Sequence, residues 1–134
     1  MPVAAEKLFH AALVSPEAQF LDTQVTSVQV PAHDGSVGLL THRAPLVTRL
    51  GIGVLTMQSV DGPRRFVIAG GYAQMHENTL TILAEEALAA GEVTAERLAD
   101  ERARLAELTG TDRASMERRQ KQQARIAAMQ QLLG

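Results

Sequence analysis

Apolar and polar positions follow two rhythms along this chain. Up to about Gly91 the apolar residues come in short runs broken by turn residues; beyond it they recur at helical spacing among charges. In the first region Leu8–Val14 reads as a strand, closed by Ser15-Pro16-Glu17. Val25–Val30 alternates, with Val28 and Val30 on one side. Thr26 breaks the two-residue period, and the strand is expected to stop at Pro31, which donates no ladder hydrogen bond. Ala32-His33-Asp34-Gly35-Ser36 is a turn. Val37–Leu40 and Leu46–Leu50 are short apolar runs separated by Arg43-Ala44-Pro45. Gly53–Val60 and Arg65–Ala69 flank Asp61-Gly62-Pro63, and Tyr72–His76 and Leu80–Ala84 flank Glu77-Asn78-Thr79; both are hairpin signals. Gly70-Gly71 reads as a turn or bulge. Short strands with such frequent turns predict a sandwich or flattened barrel. No strand in this region is followed by a helix, which argues against a parallel α/β sheet.

The second region predicts two helices. Thr94 is the expected N-cap of the first, which runs to about Leu108; Thr109-Gly110-Thr111 ends it, with Gly110 as a left-handed stop. Asp112 or Thr111 caps the second, which runs to about Leu133. The short connection makes the pair antiparallel. Leu98, Leu105 and Leu108 form a stripe on one helix; Met116, Ile126, Met129 and Leu133 form a sparser one on the other. The rest of the contact falls to Ala99, Ala103, Ala106, Ala124, Ala127 and Ala128, which bury little area each. A weakly packed hairpin, free to dock elsewhere, is the expectation. The predicted fold class is therefore α+β: an N-terminal antiparallel β-sandwich (flattened barrel) over residues 1–91, followed by a C-terminal antiparallel two-helix hairpin over residues 92–134.

Composition sharpens this division. All five prolines and all four aromatics lie at or before Tyr72, whereas residues 92–134 hold 15 of the 28 charges. The net charge of −2 is a near-cancellation: residues 1–91 carry −3, residues 92–112 carry −3 and residues 113–134 carry +4. The second helix thus offers a basic face, with Arg118, Arg119, Lys121 and Arg125, to an acidic partner. The absence of Cys excludes disulfides, thiolate metal sites and a cysteine nucleophile. The acidic balance argues against a nucleic-acid partner. No apolar run approaches the roughly 18 residues of a membrane span, and MPVAAEKLFH lacks signal-peptide character, so a soluble intracellular chain is expected.

Candidate chemistry is sparse. The chain holds no GxxxxGK[ST], HExxH, GxSxG or GxGxxG pattern. His10, His33, His42 and His76 lack metal-ligand spacing, and Glu85-Glu86 reads as a solvated pair with no nucleophile nearby. No catalytic residue, metal or cofactor is expected, which favours an adaptor or regulatory subunit over an enzyme. The alternative is a β-sandwich binding module whose helices form a coiled-coil dimerisation tail.

Several segments in order resemble one family. They are Leu13-Val14-Ser15-Pro16-Glu17, Val28-Gln29-Val30-Pro31 with Asp34-Gly35-Ser36-Val37-Gly38, Arg43-Ala44-Pro45-Leu46, Phe66-Val67-Ile68-Ala69-Gly70-Gly71-Tyr72, and Asn78-Thr79-Leu80-Thr81-Ile82-Leu83-Ala84-Glu85. Together with the hairpin that follows, they resemble the epsilon subunits of bacterial and chloroplast F-type ATP synthases (delta in mitochondria). The resemblance implies a non-catalytic rotor subunit of the central stalk. Its sandwich binds the gamma subunit and the ring of c subunits and couples ion-driven ring rotation to ATP synthesis. Its hairpin, when extended, inhibits ATP hydrolysis through the alpha/beta subunits. The location implied is peripheral, on the cytoplasmic face of the bacterial inner membrane, without insertion into it.

Carried over residue by residue, the resemblance makes Asp34, Ser36, His42 and Arg43 the gamma and c-ring contacts. Asp34 is the better charge contact, because Ser36 stands where an acid is common. Arg43 replaces the family's usual His in PGHAPL, with His42 one position earlier. Arg118, Arg119, Lys121 and Arg125 are the residues expected to meet an acidic segment of beta. Some members bind ATP through an [IL]DxxRA motif. Here Val93-Thr94-Ala95-Glu96-Arg97-Leu98 keeps Arg97 but has Thr94 for the Asp and Leu98 for the Ala. No ATP affinity in the low-millimolar range or tighter is expected.

Overall fold

Apolar alternation in the first two thirds of the chain and helix formers in the last third produce two layers of strands with a helical hairpin against one of them. The computed structural model describes residues 7–133. Residues 1–6, at the start of the expected 1–91 unit, and residue 134, at the end of the hairpin, lie outside the described residues. The strands are β1 (Phe9–Val14), β2 (Gln19–Ala32), β3 (Gly35–Leu40), β4 (Leu46–Ser59), β5 (Gly62–His76), β6 (Thr79–Ala84) and β7 (Ala87–Ala89). A short 3-10 turn (Ala90–Glu92) leads to α1 (Ala95–Glu107) and α2 (Arg113–Leu133).

The strand order is β1-β6-β5-β4-β2-β3, and β1 also pairs with β2, so the ladder closes into a flattened barrel. The sandwich expectation holds with one difference: β1 and β6 run parallel, whereas the other pairs are antiparallel. β1 and β6 meet only because the barrel closes, so no tight turn sets their direction.

Three strands are longer than alternation suggests, because each switches its inward face partway along. In β5, Phe66 and Ile68 point into the core before Gly70-Gly71, and Ala73 and Met75 do so after it. The turn or bulge expected at Gly70-Gly71 is instead a bend inside one unbroken strand. The pairings Gly71↔Ala84 and Ile68↔Ala87 keep one register across it. Both glycines have positive φ, +81° and +120°. At Gly71 a Cβ would collide with the Leu83 carbonyl oxygen and sit 2.9 Å from Ala84 Cα, so only glycine fits.

β4 makes the same change, from Leu50 to Leu55 and Met57 across Gly51–Gly53, which is why one strand replaces the two expected runs. β2 changes between Val25 and Val28 through a bulge at Thr26, whose Oγ1 donates to the Gln58 carbonyl at 3.3 Å. The strand also continues one residue past Pro31, to Ala32. A second ladder irregularity opposite β4 accommodates the proline. Each strand therefore belongs to two layers. One layer is the start of β2, β1, β6, the end of β5 and the start of β4; the other is β7, the start of β5, the end of β4, the end of β2, and β3. Phe9, Leu13, Leu39, Leu55, Met57, Ile68, Met75, Leu80 and Ile82 fill the space between.

The hairpin covers the outer face of the second layer. Val67, Val93, Leu98, Ile126, Ala128 and Met129 form a separate core, with Val54, Leu88, Leu105 and Leu132 at its margin. Each large side chain fully buried here contributes about 1.5–3 kcal/mol before ordering costs. Thr94 caps α1, its Oγ1 accepting from Arg97 N at 3.1 Å. α1 ends at Leu108 in extended backbone, so Gly110, at φ +113°, serves the connection and not the stop. Asp112 caps α2, accepting from Ser115 N at 3.2 Å and Ser115 Oγ at 2.6 Å. Those bonds hold its carboxyl below the usual range, the side-chain bond most strongly.

The expected alanine packing is not found. Ala99, Ala103, Ala106 and Ala127 are exposed, as are Met116 and Leu133, while Ala124 is half-buried and only Ala128 of the six is buried. α2 turns its apolar face to β4 and β5 and to Leu98 and Leu105 of α1, and polar groups, not alanines, supply the rest of the contact between the helices.

Candidate functional site

The interhelical contact centres on Glu101, 6% exposed and so the most buried charged residue described. It sits at helical spacing between Leu98 and Leu105, a signal in the sequence that its charge disguises. Gln122 Nε2 donates to Glu101 Oε2 at 2.6 Å and to the Glu101 carbonyl at 2.9 Å. Arg104 Nη1 lies 3.4 Å from Glu101 Oε1, and Arg125 Nη2 lies 3.8 Å from it. Arg125 also pairs with Glu86, in the segment between β6 and β7. Burial lowers the Arg125 pKa. One guanidinium thus joins both helices to the sheet.

The four basic residues of α2 are differently placed. Arg118 Nη2 donates to Ser115 Oγ at 3.1 Å, Arg119 donates to the Gly110 carbonyl, and Arg125 is held as above. Lys121 is exposed and lines a groove between α2 and the sheet with Glu117, Tyr72 and Glu86. In the folded hairpin, three of the four are occupied at home.

Arg97 lies 3.8 Å from Glu92 through Nη1 and faces a cavity of about 370 Å³ between α1 and the sheet. Glu17, Glu85, Glu86, Asp100 and Glu101 line that cavity against Arg97, Arg104 and Arg125. Five carboxylates against three guanidiniums disfavour a polyphosphate there.

The structure does not bring Asp34 and Ser36 together with His42 and Arg43. The first pair lies at the β2–β3 turn and the second in the loop after β3, so a strand of roughly 20 Å separates them. At the first end Asp34 is exposed, Ser36 Oγ accepts from Gln29 Nε2 at 3.0 Å, and His33 is anchored through its amide to the Arg49 carbonyl at 2.9 Å. At the other end His42, Arg43, Ala44 and Pro45 are all exposed. Asn78 ties this end together, accepting from His42 N at 2.7 Å and Thr41 Oγ1 at 3.1 Å and donating to the Leu8 carbonyl at 3.3 Å. Sequence reading places Asn78 only in a turn; the long-range bonds have no local signal.

The outer face of the first layer is bare. Val47, Tyr72 and Leu83 are 67%, 54% and 55% exposed. Arg49 pairs with Tyr72 and Tyr72 with Leu83, so these side chains share one face, with Val47 two residues from Arg49 and close to Pro45. Their alignment on one face makes them a candidate interaction surface.

Comparison with known proteins agrees with this architecture. The family profile described as ATP synthase, Delta/Epsilon chain, beta-sandwich domain matches residues 8–90. The chain is 40% identical over 76 residues to the ATP synthase epsilon chain of Rhodopirellula baltica; the match covers 57% of this chain and 59% of that protein, less than two thirds of its length. It is 32% identical over 123 residues to the chloroplastic ATP synthase epsilon chain of Cyanidioschyzon merolae, covering 87% of this chain and 94% of that one. Its fold matches a chain in the cryo-EM structure of Euglena gracilis mitochondrial ATP synthase (OSCP/F1/c-ring, rotational state 1), with a TM-score of 0.80 and 19% identity, over 93% of this chain and 81% of that chain.

Proposed function

The chain belongs to the ATP synthase delta/epsilon family, and on that premise we propose that it is the epsilon subunit of the central stalk, a non-catalytic rotor part. Its sandwich, residues 1–91, joins the gamma subunit to the c ring and couples ion-driven rotation to ATP synthesis. Its hairpin, residues 92–134, restrains ATP hydrolysis when extended toward alpha and beta. The observation that carries this reading is the unequal pair of outer faces: the hairpin covers one, and the other presents Val47, Arg49, Tyr72 and Leu83 uncovered.

The bare face and the adjoining His42-Arg43 loop meet gamma. Asp34 and Ser36, at the far end of β3, meet the c ring. This division suits their separation by the length of β3. Of Arg118, Arg119, Lys121 and Arg125, which meet beta in the extended hairpin, Arg125 first gives up its pairs with Glu86 and Glu101, so inhibition requires breaking that link to the sheet. The location is peripheral, on the cytoplasmic face of the bacterial inner membrane; among the described residues no helix is long and apolar enough to cross a membrane.

Co-purification with a gamma subunit tests the assignment. Leu83→Asp weakens that association at least tenfold with little loss of folding stability, because Leu83 is already half in water. Deleting residues 92–134 leaves assembly intact and raises ATP hydrolysis in the complex. No association of the wild-type chain with gamma at micromolar concentration overturns the reading.

A further inference from the structure

We propose that Asn78 is the positioning residue for the partner-facing loop Thr41–Pro45, holding it in its binding shape before any partner arrives. The inference rests on the reading above, in which that loop meets gamma. The loop joins β3 to β4, and the side chains of His42, Arg43, Ala44 and Pro45 face solvent. His42 is nonetheless held at φ +60°, a conformation unfavourable to a residue with a Cβ. Its amide donates to Asn78 Oδ1 at 2.7 Å, and Thr41 Oγ1 donates to the same oxygen at 3.1 Å. The Asn78 Nδ2 donates to the Leu8 carbonyl at 3.3 Å, and Thr41 Oγ1 lies 3.4 Å from that carbonyl.

An amide meets this demand with two separate atoms: its oxygen accepts from Thr41 and His42 while its nitrogen donates to Leu8. A carboxylate has no donor, an alkyl group has neither function, and a hydroxyl has both on a single atom. Asn78 is itself at φ +60°, beside Glu77 at +49°, in the two-residue turn between β5 and β6. Such a turn accepts Asn or Gly at this position on backbone grounds alone. The turn therefore explains why the residue tolerates left-handed backbone, while its side chain does a second task in a loop 36 positions away. A loop fixed in advance avoids the ordering cost on association and presents the Arg43 guanidinium fork toward a carboxylate-bearing partner surface in one orientation.

Asn78→Gly separates the two tasks, because glycine keeps the turn and deletes the clamp. Full-length wild-type, Asn78→Gly and Asn78→Asp chains are compared by amide hydrogen exchange and by rebinding to ATP synthase from the same source stripped of this subunit. In Asn78→Gly the His42 amide is expected to exchange at least tenfold faster while the β5 amides of Ala73 and Met75 keep their protection, and affinity for the stripped complex falls about tenfold. Asn78→Asp keeps the acceptor and loses the donor, so it falls between the two and supplies the answer should the glycine variant fold poorly. A merely structural role lowers protection in β5 and leaves the affinity of the folded molecules unchanged. Unchanged His42 exchange, or unchanged affinity once the loop is loosened, overturns the positioning role. Wild-type chain that fails to rebind overturns the proposed function instead.

Discussion

Replacing Arg125 with Met is expected to release the hairpin from the sheet. Arg125 is 28% exposed and faces Glu86, 59% exposed, on one side and Glu101, 8% exposed at its side chain, on the other. Losing the Glu86 pair costs about 0–1 kcal/mol, since that carboxylate returns to water. Losing the Glu101 contact costs more, because an uncompensated buried charge is worth about 3–5 kcal/mol. Gln122 and the mostly exposed Arg104 remain on Glu101, which reduces that share to roughly 1–2 kcal/mol. The total of about 1–3 kcal/mol corresponds to a docking constant lowered roughly 5- to 150-fold. The chain contains no Cys, so spin labels at Gln74→Cys and Gln130→Cys report the docked fraction without competing thiols. Glu86→Gln is expected to shift that fraction only about twofold and to lose its effect in high salt. Glu101→Met combined with Arg125→Met restores docking, since a hydrophobic pair replaces a buried ion pair at little cost. A docking constant within twofold of wild type in Arg125→Met refutes the argument.

Gly71→Ala is expected to prevent folding or to lower Tm by more than 10 °C, because its Cβ meets the Leu83 carbonyl and φ is +120°; calorimetry on soluble protein measures it. Thr94→Ala removes the α1 cap and costs about 1 kcal/mol, read from the far-UV CD melt of the hairpin. Asp112 has a depressed carboxyl pKa, so its cap is fully present above the ordinary value of 3.8 and is lost as pH falls through the lower folded value. An NMR titration of that carboxyl follows the loss, and Asp112→Asn removes the acid dependence at the start of α2. Sedimentation at micromolar concentration should show a monomer, because α2 uses Ile126 and Met129 against the sheet; a stable dimer through the helices supports the coiled-coil alternative.

Strand alternation, turn residues and helix caps are local signals, and they were enough to predict the flattened barrel, the Thr94 cap and the hairpin. The errors fall where distant segments decide. Gly70-Gly71 resembles a turn in isolation, and only the Leu83–Ala84 backbone packed against it makes it a bend within β5. β7 is three residues long and is a strand only because Phe66–Ile68 lies beside it. The sparse leucine stripe of α1 leaves the rest of the contact to alanines on sequence grounds, yet Glu101 takes the interior position because Gln122 and Arg125 satisfy it. At the candidate surfaces, Asp34, Ser36, His42 and Arg43 were found through resemblance. Val47, Tyr72 and Leu83 needed the register that aligns them, and Asn78 needed the fold that brings residue 42 beside it.

β2, β4 and β5 each pass unbroken from one layer to the other. A sideways load on the bare face therefore reaches the hairpin side along covalent main chain, and sliding one layer over the other would require stretching three backbones at once. A twisting load would meet the stiffness of peptide bonds, with give concentrated at the glycine bends in β4 and β5 and at the Thr26 bulge.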